Sequence, residues 1–227
     1  VDCLAKGDSL GRGHFLRANH AESEVPFGTR RRMTLPITPP FSLIRYTSLK
    51  AMNTLYYYRQ RVRKTSQVMQ HGQFFYPLDQ VLHWNRIYGS KGFFQHQCVI
   101  PREHAEDGIK DLLRVISDEG SGSFLIVLKA FGEKQSPGLM SFPRPGITLA
   151  LDFPNRGPRT LELLDRLDEI VRETGGAVYP AKDARMSPET FAVSFPVLDQ
   201  FIPFIDPAFS SSFWRRVAPS LSKEQAE

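Results

Sequence analysis

The sequence predicts an α+β protein with a ferredoxin-like antiparallel sheet, helices on one face of that sheet, and a C-terminal helical tail. Two segments, 102–120 and 159–176, carry apolar residues at the 3.6-residue spacing of amphipathic helices. Strand-like apolar runs stand before, between and after them, so the order from Gly92 to Ala181 is β-α-β-β-α-β. That order is typical of the split βαβ arrangement.

The first half of this unit is a strand followed by a helix. The run "GFFQHQCVIP" predicts the strand, and "REHAEDGIKDLLRVISDEG" predicts the helix. Gly120 is a typical helix stop, and the apolar positions of the helix are Ala105, Ile109, Leu112, Leu113 and Ile116.

The second half has two strands, a helix and a last short strand. The runs "SFLIVLKAF" and "GITLALDFP" predict the two strands, the first of them fully apolar. The segment "RTLELLDRLDEIVRETGG" predicts the helix, with Gly175 as its stop, and "AVYPA" predicts the last strand. The apolar positions of this helix are Leu161, Leu164, Leu167 and Val171.

The flanking segments are less regular. The prolines of "PFGTRRRMTLPITPPF" (26–41) predict a surface excursion, and "SLKAMNTLYYYRQRVRK" predicts a helix that could be a lid, a lipid-surface contact or an outer helix. The run "QFFYPLDQVLHWNRIYG" predicts a short aromatic strand and then a proline-started helical turn ending at Gly89. From Met186 onward we expect helices, broken at Asp206-Pro207.

Composition restricts the class of protein. The chain has 227 residues, 41% of them apolar, and a net charge of +5 that is concentrated between Arg30 and Lys64. Its two cysteines have no metal-ligand spacing, and no apolar run approaches the roughly 20 residues that span a bilayer. The basic residues do not form an aromatic-interleaved face, which argues against nucleic-acid binding. The first residue, Val1, suggests a piece of a longer protein.

Two glutamines alternate along the first strand of the unit. Gln95 and Gln97 therefore point to one face, and His96 and Cys98 point to the other. Amide groups on one face suit a polyhydroxy ligand, because each offers a donor and an acceptor. A solvent-facing strand explains the same pattern, and both interpretations stay open.

Two charged residues follow apolar strand runs. Lys129 comes after Phe124–Leu128, and Asp152 comes after "GITLAL". In a central strand each must be paired or open into a polar cavity, since an unpaired buried charge is costly. A strand end in open water is the alternative.

Lys182 follows the last short strand, with Asp183 and Arg185 close behind it. It is a surface charge, a Schiff-base amine or a cation that stabilises an anion. The neighbouring Asp183 and Arg185 predict a network that keeps it protonated, which disfavours the Schiff base.

Several motifs spread along the chain form a set. They are "VDCLAKGDSLGRG", "FFYPLD", "WNRIYG", "FQHQCVIP", "SFLIVLKAFG", "MSFPRPG", "LDFP" and "YPAKDAR" with "ETF". Together they resemble the C-terminal part of flavin-dependent oxidases of the vanillyl-alcohol oxidase superfamily. The resemblance implies FAD as cofactor, a substrate-binding (cap) domain over residues 1–178, and a segment over 179–227 that completes an FAD-binding domain whose N-terminal part is absent.

The resemblance also implies site residues. Lys182 would be the catalytic cation beside the flavin and the substrate, and Tyr179 would line the flavin. Gln97 and Lys129 would face the substrate cavity, with Gln95 and Phe131 near it. Three further positions would face the same cavity but carry other residues than close relatives in the family, which have tyrosine, asparagine and cysteine there. They are Phe75, Thr148 and Ala150.

The implied reaction is hydride transfer from an alcohol carbon of a sugar to the flavin, which gives a keto sugar for a cell-wall precursor. Alternatives are an aldonolactone or alditol oxidase of the same superfamily, or a noncatalytic ferredoxin-like ligand-binding module. The expected partners are a sugar or lipid-linked sugar and an NAD(P)H-dependent keto-sugar reductase. We expect a cytoplasmic protein, with contact to a membrane surface left open, and we expect this chain alone to be inactive.

Overall fold

The computed structural model describes residues 1–22, 32–124, 126–206 and 208–218. Short 3-10 turns connect several of the elements. The helices and strands of these residues are β1 (Met33–Thr34), α1 (Tyr46–Tyr58), α2 (His71–Phe75), β2 (Val81–Leu82), β3 (Phe93–Ile100), α3 (Ala105–Glu119), β4 (Val127–Phe131), β5 (Gly146–Pro154), α4 (Pro158–Glu173), β6 (Ala177–Val178), α5 (Pro188–Ser194), α6 (Leu198–Phe201) and α7 (Ser212–Val217).

The main sheet has four strands in the order β4-β5-β3-β6, and every neighbouring pair is antiparallel. In the register, Cys98 lies opposite Leu149 and Lys129 lies opposite Thr148. The α+β class and the antiparallel sheet are confirmed, and the element order over 93–178 is the predicted β-α-β-β-α-β. This order agrees with the ferredoxin-like arrangement.

The hydrophobic core lies between one face of the sheet and helices α3 and α4. From β3, Cys98 and Ile100 enter this core. The predicted apolar residues of α3 and α4 meet them there, with Leu112 and Leu167 fully buried. The exception is Leu161, which is not part of this core, whereas Leu163 of the same helix is buried in it. Burying each such side chain contributes about 1.5–3 kcal/mol. The C-terminal helices add Phe191 and other apolar residues to the same core.

Two strand predictions were too long. Strand β4 begins at Val127, so the prediction of a fully apolar strand from Ser123 was wrong in extent. Val127 is 42% exposed, because β4 is an edge strand of the main sheet. Leu125 lies outside the described residues. Strand β6 ends at Val178 because Pro180, which has no backbone N–H, starts a 3-10 turn.

The N-terminal flank also differs in part. The aromatic strand predicted at "QFF" is wrong, since these residues belong to α2. The predicted helix is α1, but it begins at Tyr46 and ends at Tyr58. Part of the excursion over 26–41 and of the basic stretch from Arg30 lies outside the described residues. Its described part includes the two-residue strand β1, which pairs with β2.

Gly176 allows the chain to pass closely beside β3. A Cβ at this position would lie 2.6 Å from the carbonyl oxygen of Val99 and 3.0 Å from Val171 Cγ1. We expect Gly176→Ala to lower the free energy of unfolding by about 1–3 kcal/mol, because backbone must move to admit the methyl group. Chemical denaturation measures the loss. Gly132, where an added Cβ meets nothing within 4 Å, is the control, and equal losses for Gly132→Ala and Gly176→Ala would contradict the prediction.

Candidate functional site

The sheet face opposite α3 and α4 is polar. Gln95 lies opposite Asp152, and Gln97 lies opposite Ala150. Residues directly opposite each other point to the same face of a sheet, so these four side chains share this face. Thr148 follows the same alternation on β5. We call this surface, with Gln95, Gln97, Thr148 and Asp152, the polar face. Gln95 and Gln97 do point away from His96 and Cys98, as predicted.

Hydrogen bonds orient the two glutamines. Gln97 Nε2 donates to Thr148 Oγ1 at 3.2 Å, and Gln95 Nε2 donates to Asp152 Oδ1 at 3.0 Å. Thr148 is buried, and the two glutamines are half-buried. Among the described residues neither glutamine Oε1 accepts a hydrogen bond. Each amide therefore keeps an acceptor for a ligand hydroxyl.

Asp152 is half-buried at the end of the polar face. Burial raises the pKa of its carboxyl, while hydrogen bonds from Gln95 and Tyr88 and the charge of Lys182 act in the opposite direction. The phenol OH of Tyr88 donates to Asp152 Oδ2 at 3.3 Å. Asp152 is thus hydrogen-bonded by two neutral side chains, and the interpretation of a strand end in open water is wrong for this residue.

Lys182 enters the site because the chain turns directly after β6. The backbone N–H of Tyr179 donates to the carbonyl of Gln97 at 2.8 Å, which continues the pairing with β3, and the turn Pro180–Lys182 follows. Lys182 is half-buried and lines one pocket with Gln95, Gln97 and Tyr179. In the described part of the chain its ammonium makes no hydrogen bond or ion pair, so its donors are available.

The prediction that Asp183 and Arg185 hold Lys182 was wrong. Asp183 accepts hydrogen bonds from the backbone N–H groups of Arg185 and Met186, at 2.9 and 2.6 Å, and pairs with Arg216. Arg185 is paired with acids of α4. The charge of Lys182 acts instead on Asp152 of β5, whose pKa it lowers.

A cluster of polar side chains, which the sequence analysis missed, lines the same pocket. His96 Nε2 lies 3.0 Å from Asp168 Oδ1, and Arg185 Nη2 lies 3.2 Å from Asp168 Oδ2. His96 and Asp168 are 4% and 2% exposed. A signal was present, since Asp168 interrupts the apolar side of α4 next to Leu167. The cluster joins β3, α4 and the segment that carries Lys182.

An aromatic group stands at the other end of the polar face. Tyr179 stacks on Phe142 with 4.6 Å between ring centroids, and Phe142 meets Phe131 edge-on at 6.1 Å. Lys129 is exposed, with its ammonium 5.0 Å from the Phe131 ring centroid. The structure thus brings together Tyr179, Phe131 and Lys129, and adds Phe142, which the sequence analysis did not single out.

Phe75 stands apart from these residues. It lies on α2 and is 66% exposed. Its ring contacts are with Phe74 and Tyr76, at 5.1 and 6.3 Å between centroids. Within the described residues no ring contact or hydrogen bond joins Phe75 to the polar face.

The comparisons with known proteins confirm the resemblance to an oxidase. The chain is 34% identical over 232 residues to decaprenylphosphoryl-β-D-ribose oxidase of Mycolicibacterium smegmatis, an alignment that covers 95% of this chain and 49% of that protein. It is also 32% identical over 239 residues to an uncharacterized protein in the mprA 5′ region of Streptomyces coelicolor, over 96% of this chain and 64% of that protein. The chain thus spans about half to two thirds of these relatives' length. No protein-family model matches it.

Proposed function

We propose that this chain forms the substrate-binding part of an FAD-dependent oxidoreductase that oxidises an alcohol carbon of a sugar to a ketone. One observation carries the proposal: the half-buried ammonium of Lys182 has no direct partner among the described residues and lies in one pocket with Gln95 and Gln97. The similarity to an oxidase supports it.

The residues present fit a flavin and a sugar. FAD, when bound, would accept a hydride from the alcohol carbon. Lys182 would stabilise the negative charge that develops on the reduced flavin, because a preorganised cation in a water-poor site acts strongly on developing charge. Tyr179 would line the cofactor. Residues 1–178 would bind the substrate and 179–227 would complete the FAD-binding domain.

Gln95 and Gln97 would bind sugar hydroxyls through their free amide oxygens, and Thr148 would orient Gln97. The aromatic group that includes Phe131, with Lys129 at its edge, offers apolar surface and a positive charge for a lipid-linked or phosphate-bearing substrate. An NAD(P)H-dependent keto-sugar reductase is the class of partner that would consume the ketone.

A membrane surface is a second proposed partner. In α1 and after it, Leu55, Tyr58 and Val62 are 69%, 63% and 63% exposed, beside basic residues such as Arg59. Exposed aromatic and basic side chains together suit an anionic lipid surface. No helix in the ranges that the structure describes is long and apolar enough to cross a membrane.

The test is anaerobic reduction of the full-length protein. We expect it to purify with a flavin spectrum, which a lipid-linked sugar bleaches. Free sugars, alditols and aldonolactones, tested in parallel, distinguish the related oxidases. A full-length protein that binds no flavin, or whose flavin no alcohol reduces, would contradict the proposal and favour a noncatalytic ligand-binding module.

A further inference from the structure

A single carboxylate stands on the polar face. Of the side chains that the described strands β3 to β6 place on this face, Asp152 is the only acidic one. It lies opposite Gln95 and follows Thr148 and Ala150 by alternation along β5. A substrate bound by the two glutamines would therefore meet no other carboxylate from the sheet. Asp168 and Asp183 also line the pocket, from α4 and from the segment after β6, but Asp168 lies against His96 and Asp183 pairs with Arg216.

Both oxygens of Asp152 are held in place from outside β5. Gln95 Nε2 donates to Oδ1 and the phenol of Tyr88 donates to Oδ2. Tyr88 is itself 2% exposed and stacks on Phe93 with 4.4 Å between centroids, so this donor is rigid. Burial raises the pKa of Tyr88, which keeps its proton on the phenol. A carboxylate oxygen can accept two hydrogen bonds, so Oδ1 and Oδ2, with one donor each, both keep an acceptor position for a ligand.

Two titratable groups act on this carboxylate, Tyr88 and Lys182. Neither group neutralises the charge of the Asp152 carboxylate, since Tyr88 is uncharged and no direct ion pair with Lys182 forms among the described residues. The site thus combines an oriented carboxylate with a neighbouring free cation. Proton acceptance by the first and charge stabilisation by the second are complementary tasks.

We propose that Asp152 is the proton acceptor of the oxidation, an assignment that rests on the function proposed above. The O–H bond of the substrate alcohol breaks and its proton passes to the Asp152 carboxylate. The C–H bond at the same carbon breaks, and its hydrogen leaves with the electron pair to the oxidised flavin. The carbon becomes a carbonyl, so the alcohol loses two electrons and the flavin gains two.

The electrostatic environment supports this role. Burial is the largest influence on Asp152 and raises its pKa. A carboxylate with a raised pKa is a stronger base and still ionised at neutral pH when the shift is moderate. The rate of flavin reduction should therefore fall at low pH. The apparent pKa of this acid limb of the pH–rate profile should lie above the ordinary pKa range of aspartate.

Asp152→Asn in the flavin-loaded, full-length protein tests the assignment. We expect flavin reduction in anaerobic stopped flow to slow by about 10²–10⁴-fold, the usual contribution of a general base. The acid limb of the pH profile should disappear, while the dissociation constant of the substrate changes little. Asp111→Asn, on the exposed side of α3, is the control and should match the wild type.

A second measurement does not depend on activity. Because the carboxyl binds its proton more tightly in the folded than in the unfolded state, its contribution to stability falls as pH rises from the unfolded to the folded pKa. We therefore expect the melting temperature of Asp152→Asn to rise relative to that of the wild type as pH rises through that window. An equal shift at every pH would overturn the proposed environment of Asp152.

The outcomes separate the two proposals. A wild-type protein that no alcohol reduces would contradict the proposed function. An active wild type, together with an Asp152→Asn variant that keeps both the rate and the acid limb, would overturn only the role of Asp152. Should Asp152→Asn lose its flavin, Tyr88→Phe keeps the carboxylate and removes one donor. It should move the acid limb to higher pH, and an unmoved limb would overturn the assignment.

Discussion

Lys182→Met is expected to slow flavin reduction by about 10²–10³-fold, the usual cost of removing one preorganised group that stabilises charge in the transition state. Methionine keeps much of the length of the side chain, so the change removes mainly the charge. Lys182 has no ion pair among the described residues, and its loss therefore leaves no partner unpaired. Anaerobic stopped-flow absorbance in the full-length protein measures the effect.

Lys110→Met is the matched control. Lys110 lies on the outer side of α3, where its ammonium is exposed and pairs with Glu106. We expect this variant to reduce its flavin at the wild-type rate. If Lys182→Met did the same with every sugar substrate, Lys182 would be a surface charge and the proposed cation of the site would lie elsewhere.

The largest expected effect on stability comes from Asp168→Ala. We expect the free energy of unfolding to fall by about 3–5 kcal/mol, because the buried His96 would lose its carboxylate partner and the half-buried Arg185 would lose one of its two acids. Chemical denaturation at neutral pH measures the loss.

Asp165→Ala removes the other acid that pairs with Arg185. Its side chain is 67% exposed, and an exposed ion pair contributes only about 0–1 kcal/mol. Asp165→Ala is therefore the control for Asp168→Ala, because both variants remove an acid that pairs with Arg185. Similar losses of unfolding free energy for Asp165→Ala and Asp168→Ala would contradict the prediction that the buried Asp168 contributes more to stability than the exposed Asp165.

Local sequence patterns were sufficient to predict α3, α4 and β3, which form the centre of the fold. The stripes of α3 and α4, the glycines that end them, and the alternation in β3 each concern residues a few positions apart, so they predict elements and faces directly. Short aromatic segments were harder. The "QFF" run became part of α2 because a few apolar residues are compatible with helix and strand alike. Strand β4 is exposed because it lies at an edge, which depends on its neighbours.

For the candidate site, single residues were predictable and their partners were not. Gln95, Gln97 and Lys182 stood out by their positions in strand-like runs. The pairing of Gln95 with Asp152 joins residues 57 positions apart, and that of His96 with Asp168 joins residues 72 apart. Asp183 and Arg185, the sequence neighbours of Lys182, turned out to serve other partners.

The amino-acid sequence by itself determined the α+β class, the two amphipathic helices, the shared face of Gln95 and Gln97, and the resemblance to oxidases that the comparisons confirmed. Those properties follow from hydrophobic periodicity and from motifs, which are local. Only the tertiary structure decided that the charge of Lys182 acts on Asp152, and that Asp168 contacts both His96 and Arg185. The physical reason is that charges interact through space across β3, β5 and α4, at distances that sequence spacing does not contain.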